Sequence, residues 1–345
     1  MPPRKKRHAK KRKVNKPLWW TLSIVLLLIL GGGAYFTVSV VQGLDSMQKD
    51  PENSPFKDVP TVKEDAPEPP KWEGTEPVNI LLMGVDARGV KKGEIPRSDT
   101  MLVASLDPVK KKIHVFSILR DTYADIPGYS ANRINSAIIH GPNVAMEAVG
   151  DLLGLPIQYY VYTDFQGFIK LVDAIGGVDY EVEKDMVYKT IADGPEYDID
   201  LKKGMQHMDG NKALQYVRFR HDATSDFTRT ERQRAFLKVV ADKLKSTTSL
   251  LKLPTILQEV SPYIDTNLSV GDMAKLASVG YDSSMAGSAQ IPPMKLLREE
   301  TINGSSVLTV SSEKALKEYV QEVISDPEPS ASPQTSAAPE GEAKQ

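Results

Sequence analysis

Twenty-four consecutive uncharged residues, Leu18 to Val41, constrain this chain more than any other feature. Coiled as a helix, the run is about 36 Å long, enough to cross the hydrocarbon core of a bilayer. Trp19 and Trp20 stand at its N-terminal end, where aromatic side chains mark a membrane interface. Residues 1–17 hold nine Lys or Arg and no acid. The positive-inside rule therefore keeps the N-terminus in the cytoplasm and puts everything after Val41 outside, as a single-pass protein of the cell membrane. A cleaved signal peptide needs a shorter apolar region and an Ala-x-Ala-like site. No such site stands near Gly31-Gly32-Gly33-Ala34, so residues 18–41 are expected to stay as a signal-anchor. A basic tail alone also suits nucleic acid, but the adjoining span argues against it, and no nucleic-acid partner is expected.

The span divides the remaining chain. Residues 42–77, with Pro67-Glu68-Pro69-Pro70 at the centre, are too rich in Pro and charge to bury much and are expected to form a disordered, solvated linker. Residues 326–345 are rich in Ser, Pro, Ala and Glu and are expected to be a disordered tail. A single domain over 78–325 is left, with its motifs confined to 78–247. Setting the first 17 residues aside leaves 34 basic against 45 acidic residues, so an anion site must be a local cluster rather than a general field. Cysteine is absent, which excludes disulfides, zinc–thiolate sites and cysteine nucleophiles.

Within the domain, apolar runs of strand length alternate with helical periodicity. Val78 to Val85 reads as a strand. Met101 to Leu106 and Ile113 to Leu119 read as two more, joined by the turn Asp107-Pro108-Val109-Lys110-Lys111-Lys112. Neither of the latter two alternates cleanly, as expected of strands covered on both faces. Asn132 to Leu153 is helical in period, Tyr159 to Tyr162 is a strand, and Asp164 is placed to cap a helix carrying Phe165, Phe168, Ile169, Val172 and Ile175. This alternation gives an α/β architecture. Residues 183–209 fit either a hairpin or a mobile flap.

Charge gathers at the ends of these elements. Asp86 and Arg88 follow the first strand, Arg97 and Asp99 precede the second, and Arg120 and Asp121 follow the third. An antiparallel hairpin brings the last two groups to one rim. Paired salt bridges would produce the same pattern. Asp86 and Asp99 on neighbouring strand ends could share a hard cation, since magnesium takes one or two protein carboxylates plus phosphate oxygens. A second block runs from Arg218 and Arg220 through Asp226 to Arg229, Arg232 and Gln233. Thr228 and Glu231 fit a capping box that starts a helix at Arg229. Arg229, Arg232 and Gln233 then share a face that continues into Leu237, Val240 and Leu244. So many guanidiniums beside a helix N-terminus make physical sense with a negatively charged ligand, and Arg suits phosphate.

Six segments in order, Gly84-Val85-Asp86-Ala87-Arg88, Arg97-Ser98-Asp99-Thr100, Arg120-Asp121-Thr122-Tyr123, Asn132-Arg133-Ile134-Asn135, Tyr216-Val217-Arg218-Phe219-Arg220 and Arg229 to Gln233, resemble the LytR-CpsA-Psr family of cell-envelope phosphotransferases. Leu119-Arg120 departs from the family's frequent Pro-Arg, and Arg133 stands where Lys is common. The resemblance implies a three-layer α/β/α domain with a mixed central sheet. It implies transfer of a polyprenyl-pyrophosphate-linked anionic glycopolymer, such as wall teichoic acid, to a peptidoglycan acceptor, releasing polyprenyl phosphate. On that basis Asp86 and Asp99 are expected to hold magnesium (or manganese), and Arg88, Arg97, Arg120, Arg133, Arg218, Arg220, Arg229, Arg232 and Gln233 to bind the pyrophosphate. Asp99, Arg120, Asp121 and Arg218 are the catalytic candidates, with Asp121 or Asp226 left open as the group that assists proton removal. An external pyrophosphatase and a non-enzymatic regulator or attenuator are the alternatives. A DNA-acting regulator would need a cytoplasmic reading domain, and the basic tail supplies none.

Overall fold

The computed structural model describes residues 16–60, 72–91, 93–189, 194, 197–220 and 226–325, with backbone only for 16–20 and 22. Most of the basic tail, the middle of the linker and the C-terminal tail lie outside these residues. Helix α1 (Lys16–Asp45) is longer than the uncharged run because its ends wind on through Lys16 and Asp45. It is long and apolar enough to cross a membrane.

The domain begins with β1 (Val78–Val85), β2 (Ser98–Asp107) and β3 (Lys112–Ile118). The expected hairpin forms: β2 and β3 pair antiparallel, with Leu102 opposite Ser117 and Asp107 opposite Lys112. Asp107 Oδ1 makes the turn by accepting from the Val109 and Lys110 amides at 3.0 and 2.8 Å. Short strands β4 (Tyr123–Ala124) and β5 (Asn132–Arg133) follow, then α2 (Pro142–Leu153), β6 (Tyr159–Asp164) and α3 (Phe165–Ala174). Helical periodicity from Asn132 is only partly realised, because Gly141 at φ +101° and Pro142 divide a 3-10 turn from α2. Asp164 caps α3 as expected, accepting from the Gly167 amide at 2.9 Å.

Strands β7 (Val178–Val182), β8 (Met186–Tyr188), β9 (Ile199–Leu201) and β10 (Gly204–Met208) precede α4 (Gly210–Arg218) and α5 (Asp226–Leu244). Within residues 183–209, β8 pairs with β9 as a hairpin, and most of its tip lies outside the described residues, while β10 pairs with β7. The chain then runs through α6 (Thr247–Leu251), α7 (Leu253–Val260), β11 (Ile264–Thr266), α8 (Val270–Asp282) and β12 (Ser284–Ile291). It ends with the hairpin β13 (Leu297–Ile302) and β14 (Ser305–Val310) and with α9 (Glu313–Ser325).

Six strands form one mixed sheet in the order β11-β6-β1-β2-β3-β12, with β1 parallel to β6 and β3 parallel to β12. Alternation along β1 assigns its faces. Leu81, Met83 and Val85 point into a dry layer with Met101, Val103, Phe116, Ile118, α2 and α9. Leu82 and Gly84 point the opposite way, towards α3, α4, α5 and α7, which form their own core around Ile169, Val172, Leu214, Phe236 and Val260. Helices thus cover both faces, giving three layers.

The expected solvated linker is partly built into this body. Phe56 is buried edge-on against Tyr162, with centroids 4.9 Å apart, and against Tyr160 at 6.3 Å. Trp72 is buried with Val78, Leu106, Tyr159 and Leu268. One aromatic ring offers enough apolar area to dock an otherwise polar segment, which composition averaged over 36 residues hides. Phe56→Ala is expected to cost about 3 kcal/mol, the usual scale for emptying a buried Phe site. Thermal unfolding should then shift down by several degrees.

Candidate functional site

Between the sheet face bearing Leu82, Gly84 and Leu102 and the helices opposite lies a cavity of about 700 Å³. One part is apolar, lined by Val161, Phe168, Leu171, Leu214, Phe236, Val240 and Val260. The other carries Asp86, Arg88, Asp99, Arg120, Arg218, Arg220, Arg229 and Gln233.

Local backbone geometry explains how these side chains meet. Gly84 faces Thr100 and Val85 faces Ser98, which leaves Asp99 as the extra residue of a bulge in β2. Bulges release a side chain from strict alternation. Asp99 and Thr100, though sequence neighbours, therefore both line the cavity. The hairpin delivers Arg120 to the same place, and it forms an ion pair with Asp99 Oδ1. Arg220 Nη2 approaches that oxygen at 3.6 Å, and Arg229 Nη2 donates to the Asp99 carbonyl at 3.3 Å. Asp226 Oδ1 accepts from Arg229 at 2.8 Å and lies 3.9 Å from Arg220. On the far side, Asp86 grips Arg88 through both carboxylate oxygens, with Nε at 2.7 Å from Oδ1. Arg88 lies 4.0 Å over the Tyr197 ring and 5.6 Å from Phe165, and Arg218 sits at 5.4 and 5.2 Å from the same two rings.

The electrostatics are uneven. Burial, reinforced by the Arg120 cation, lowers the Arg220 pKa against the pull of Asp226, Asp99 and Asp121. Burial raises the Asp226 pKa, Arg120 and Arg220 draw it back only in part, and Asp121 and Asp99 add to the rise. Burial also opposes ionisation of Asp86, but the Arg88 hydrogen bonds outweigh it and hold Asp86 below the ordinary range. Among the described residues, Arg120 Nε, Arg229 Nε and Asp226 Oδ2 are buried without a hydrogen-bond partner. Guanidinium donors left unsatisfied within one cluster suit an anionic ligand, since buried donors are otherwise satisfied.

Not every expected residue reaches the cavity. Arg97 is exposed and lies outside its lining. Asp121 and Arg133 stand behind Arg120: Asp121 Oδ2 is 3.6 Å from Arg120 Nε, and Asp121 Oδ1 is 3.4 Å from Arg133 Nε. Arg133 also donates to the Ser306 carbonyl at 2.6 Å, tying this rim to β14. Arg232 is buried on another side, donating to Glu183 Oε1 at 2.7 Å and to the Phe219 carbonyl at 3.1 Å. At 100° per residue, Arg229 and Gln233 lie about 40° apart, whereas Arg232 lies about 60° to the other side of Arg229. The face containing 229, 233, 237 and 240 thus turns to the cavity without it. Helix α5 begins at Asp226 rather than at a Thr228 cap, which places an acid in its first turn. Arg218 is the last residue of α4, and it lines the cavity beside Arg220. Sequence reading missed Tyr197 and the second role of Phe165. The available signal was the presence of Tyr188 and Tyr197 in an otherwise polar stretch. His221 and Asp222 lie outside the described residues.

Asp86 and Asp99 both line the cavity, each fixed by a guanidinium. No group of three or more metal-ligating side chains occurs among the described residues. Two carboxylates fit a magnesium-like ion only if ligand phosphate oxygens complete its shell, which is magnesium's usual habit.

The LytR_cpsA_psr family model matches residues 35–323, and the chain belongs to this family. It is 36% identical over 194 residues to the regulatory protein MsrR of Staphylococcus aureus (strain COL), covering 55% of this chain and 56% of that protein. It is 37% identical over 205 residues to the polyisoprenyl-teichoic acid–peptidoglycan teichoic acid transferase TagU of Enterococcus faecalis, covering 59% and 65%. The matched part spans less than two thirds of these relatives. Among solved structures, TagT bound to LI-WTA superposes with a TM-score of 0.57 at 26% identity, over 76% of this chain and 93% of that one.

Glu183 gives a test of the role of Arg232. Burial raises its pKa, but the Arg232 and Tyr216 hydrogen bonds outweigh that and leave it below its ordinary 4.5. A depressed folded-state pKa contributes stability above the unfolded value that is lost as pH falls through the folded value. Denaturation between pH 6 and 3 should show this acid loss, and Arg232→Met should lower stability at pH 6 and flatten the dependence.

Proposed function

We propose that this chain transfers a polyprenyl-pyrophosphate-linked anionic glycopolymer to peptidoglycan and releases polyprenyl phosphate. The observation that carries this reading is one cavity with an apolar part and a guanidinium-lined part, matching the two halves of a lipid pyrophosphate. The name of TagU and the ligand of TagT support it. A bound lipid would lie along Phe168, Leu171, Phe236 and Val240. Its phosphates would meet Arg88, Arg120, Arg218, Arg220 and Arg229. Arg97 and Arg232 are not assigned to the pyrophosphate, and Arg133 acts through Asp121.

In the reaction an acceptor sugar hydroxyl forms a bond to the glycan-side phosphorus, and the bridging P–O bond to the lipid phosphate breaks. Polyprenyl phosphate carries away the electron pair. Phosphoryl transfer needs positioning and charge neutralisation more than covalent help. The arginines neutralise the leaving phosphate, and Asp99 holds Arg120 and Arg220 in place. Asp226 pairs with Arg220 and Arg229 outside the cavity lining, and its unpaired buried oxygen would take the hydroxyl proton. Asp86 and Asp99 would hold magnesium or manganese, which would supply further charge neutralisation on the phosphates. The N-terminus is assigned to the cytoplasm and the domain to the outside. The name of MsrR favours a regulatory reading instead.

The deciding experiment follows a labelled lipid-pyrophosphate glycan with the purified protein and magnesium, with and without peptidoglycan fragments. Label should join peptidoglycan, chelation should stop transfer, and Arg120→Ala should reduce it roughly 1,000-fold. Label released to water whether or not acceptor is present would mean a pyrophosphatase. Binding without turnover would leave the regulatory reading. The base assignment has its own readout. Asp226 must be ionised to work, so the rate should rise through a carboxylate pKa lying above the ordinary 3.8. Asp226→Asn should abolish that acid limb, and an unchanged limb would remove Asp226 from the role.

A further inference from the structure

We propose that Leu250 and Leu251 of α6 rest in the surface of the bilayer that holds α1, so that the domain is seated on the membrane rather than suspended above it. This goes beyond the transfer reaction and does not depend on it.

The last turns of α1 are docked on the domain. Phe36, Ser39, Val40, Gly43, Leu44 and Met47 are covered or partly covered, whereas Thr37, Val38, Val41 and Gln42 are exposed. That is the stripe of one helix face. Its partner is chiefly α7, with α8 alongside. At Gly43 the helices approach so closely that a Cβ would come 2.6 Å from Leu257 Cβ. Further on, Ser46 Oγ donates to Ser261 Oγ at 2.8 Å and Lys49 Nζ donates to the Ser261 carbonyl at 3.0 Å.

These pairings fix a direction. Gly43 meets Leu257 and Ser46 meets Ser261, so α1 and α7 run parallel. Moving back along α1 towards its apolar run therefore means moving back along α7 towards α6. The helical ladder carries across the join: the Lys252 amide donates to the Thr248 carbonyl at 3.2 Å, and the Ile256 amide to the Lys252 carbonyl at 3.0 Å. Six residues from Leu257 to Leu251 is about 9 Å of rise. The same distance back from Gly43 reaches Thr37, inside the uncharged run that ends at Val41. At that level Leu250 and Leu251 are 40% and 74% exposed. Lys252, also exposed, follows them with a cation on a long stem suited to lipid phosphates. Two exposed leucines set beside a membrane span and followed by a lysine match an interfacial contact better than open water.

The same helical segment leads to the cavity. Val260, about 14 Å beyond Leu251 along the axis, lines its apolar part. If the transferase reading holds, a lipid leaving the bilayer beside α6 reaches the cavity along α6 and α7.

The absence of native cysteine makes the test direct. Full-length Leu251→Cys, Lys314→Cys and Leu28→Cys proteins, each labelled with an environment-sensitive nitrobenzoxadiazole dye, are reconstituted into phosphatidylcholine–phosphatidylglycerol vesicles. The vesicles contain lipids spin-labelled at shallow or deep acyl positions. Position 28 sits within the span and position 314 at an exposed site on α9. The proposal expects blue-shifted emission at 251 with stronger quenching from shallow than from deep lipids, deep quenching at 28 and none at 314. Emission at 251 as red and as open to aqueous iodide as at 314, while 28 stays lipid-quenched, would overturn it. Equal lipid quenching at 251 and 314 would overturn it too, since contact would not be specific to α6. Water exposure at 28 would overturn it together with the span on which it rests.

Discussion

The Asp99 carboxylate sits where Arg120 and Arg220 converge, while its own carbonyl accepts from Arg229. Three cations gathered in a part-buried site repel one another, and the repulsion grows as water is removed. A carboxylate at their centre offsets part of that cost and fixes where each guanidinium points. Position matters as much as charge, because a strand in regular alternation could not turn both Asp99 and Thr100 to one face. The bulge opposite Gly84 and Val85 supplies the missing freedom.

The remaining cations are held by different means. Arg88 and Arg218 share the rings of Phe165 and Tyr197, so aromatic faces supply the attraction that a second carboxylate supplies elsewhere. Behind these residues the cluster is backed by a further set of paired groups. Asp121, Arg133 and the Ser306 carbonyl form that backing, tying Arg120 through Arg133 to a hairpin 173 residues further along the chain.

Much of this was readable from the chain. Strand-length apolar runs and a Pro-containing turn gave the β2–β3 hairpin, and the hairpin gave the meeting of Arg120 with Asp99. The Asp164 cap and the alternation of elements gave the α/β architecture, and the family resemblance implied its three layers. Features that depend on one residue of strand register or one helical step of about 100° were not readable. A bulge carries no composition signal, and Arg232 differs from Gln233 by a single helical step that decides between a structural pair and the cavity. Phe56 and Trp72 escaped notice because an average over a polar segment conceals single rings. The region after residue 248 bore no motif, yet it supplies α7, β11 and β12, because an edge strand or a wall helix needs only apolar character and length.

Both outer strands of the central sheet, β11 and β12, come from residues 264–291, although the four strands between them are complete by Asp164. Until those last segments arrive, β3 and β6 present unpaired amides and carbonyls at the two margins of a mostly assembled sheet. Such margins recruit other strands, and closing them by contacts of long sequence separation is slow. The chain therefore finishes its sheet from its own far end. A version cut short before residue 264 would keep every motif of the charged cluster and yet leave both flanks open to self-association.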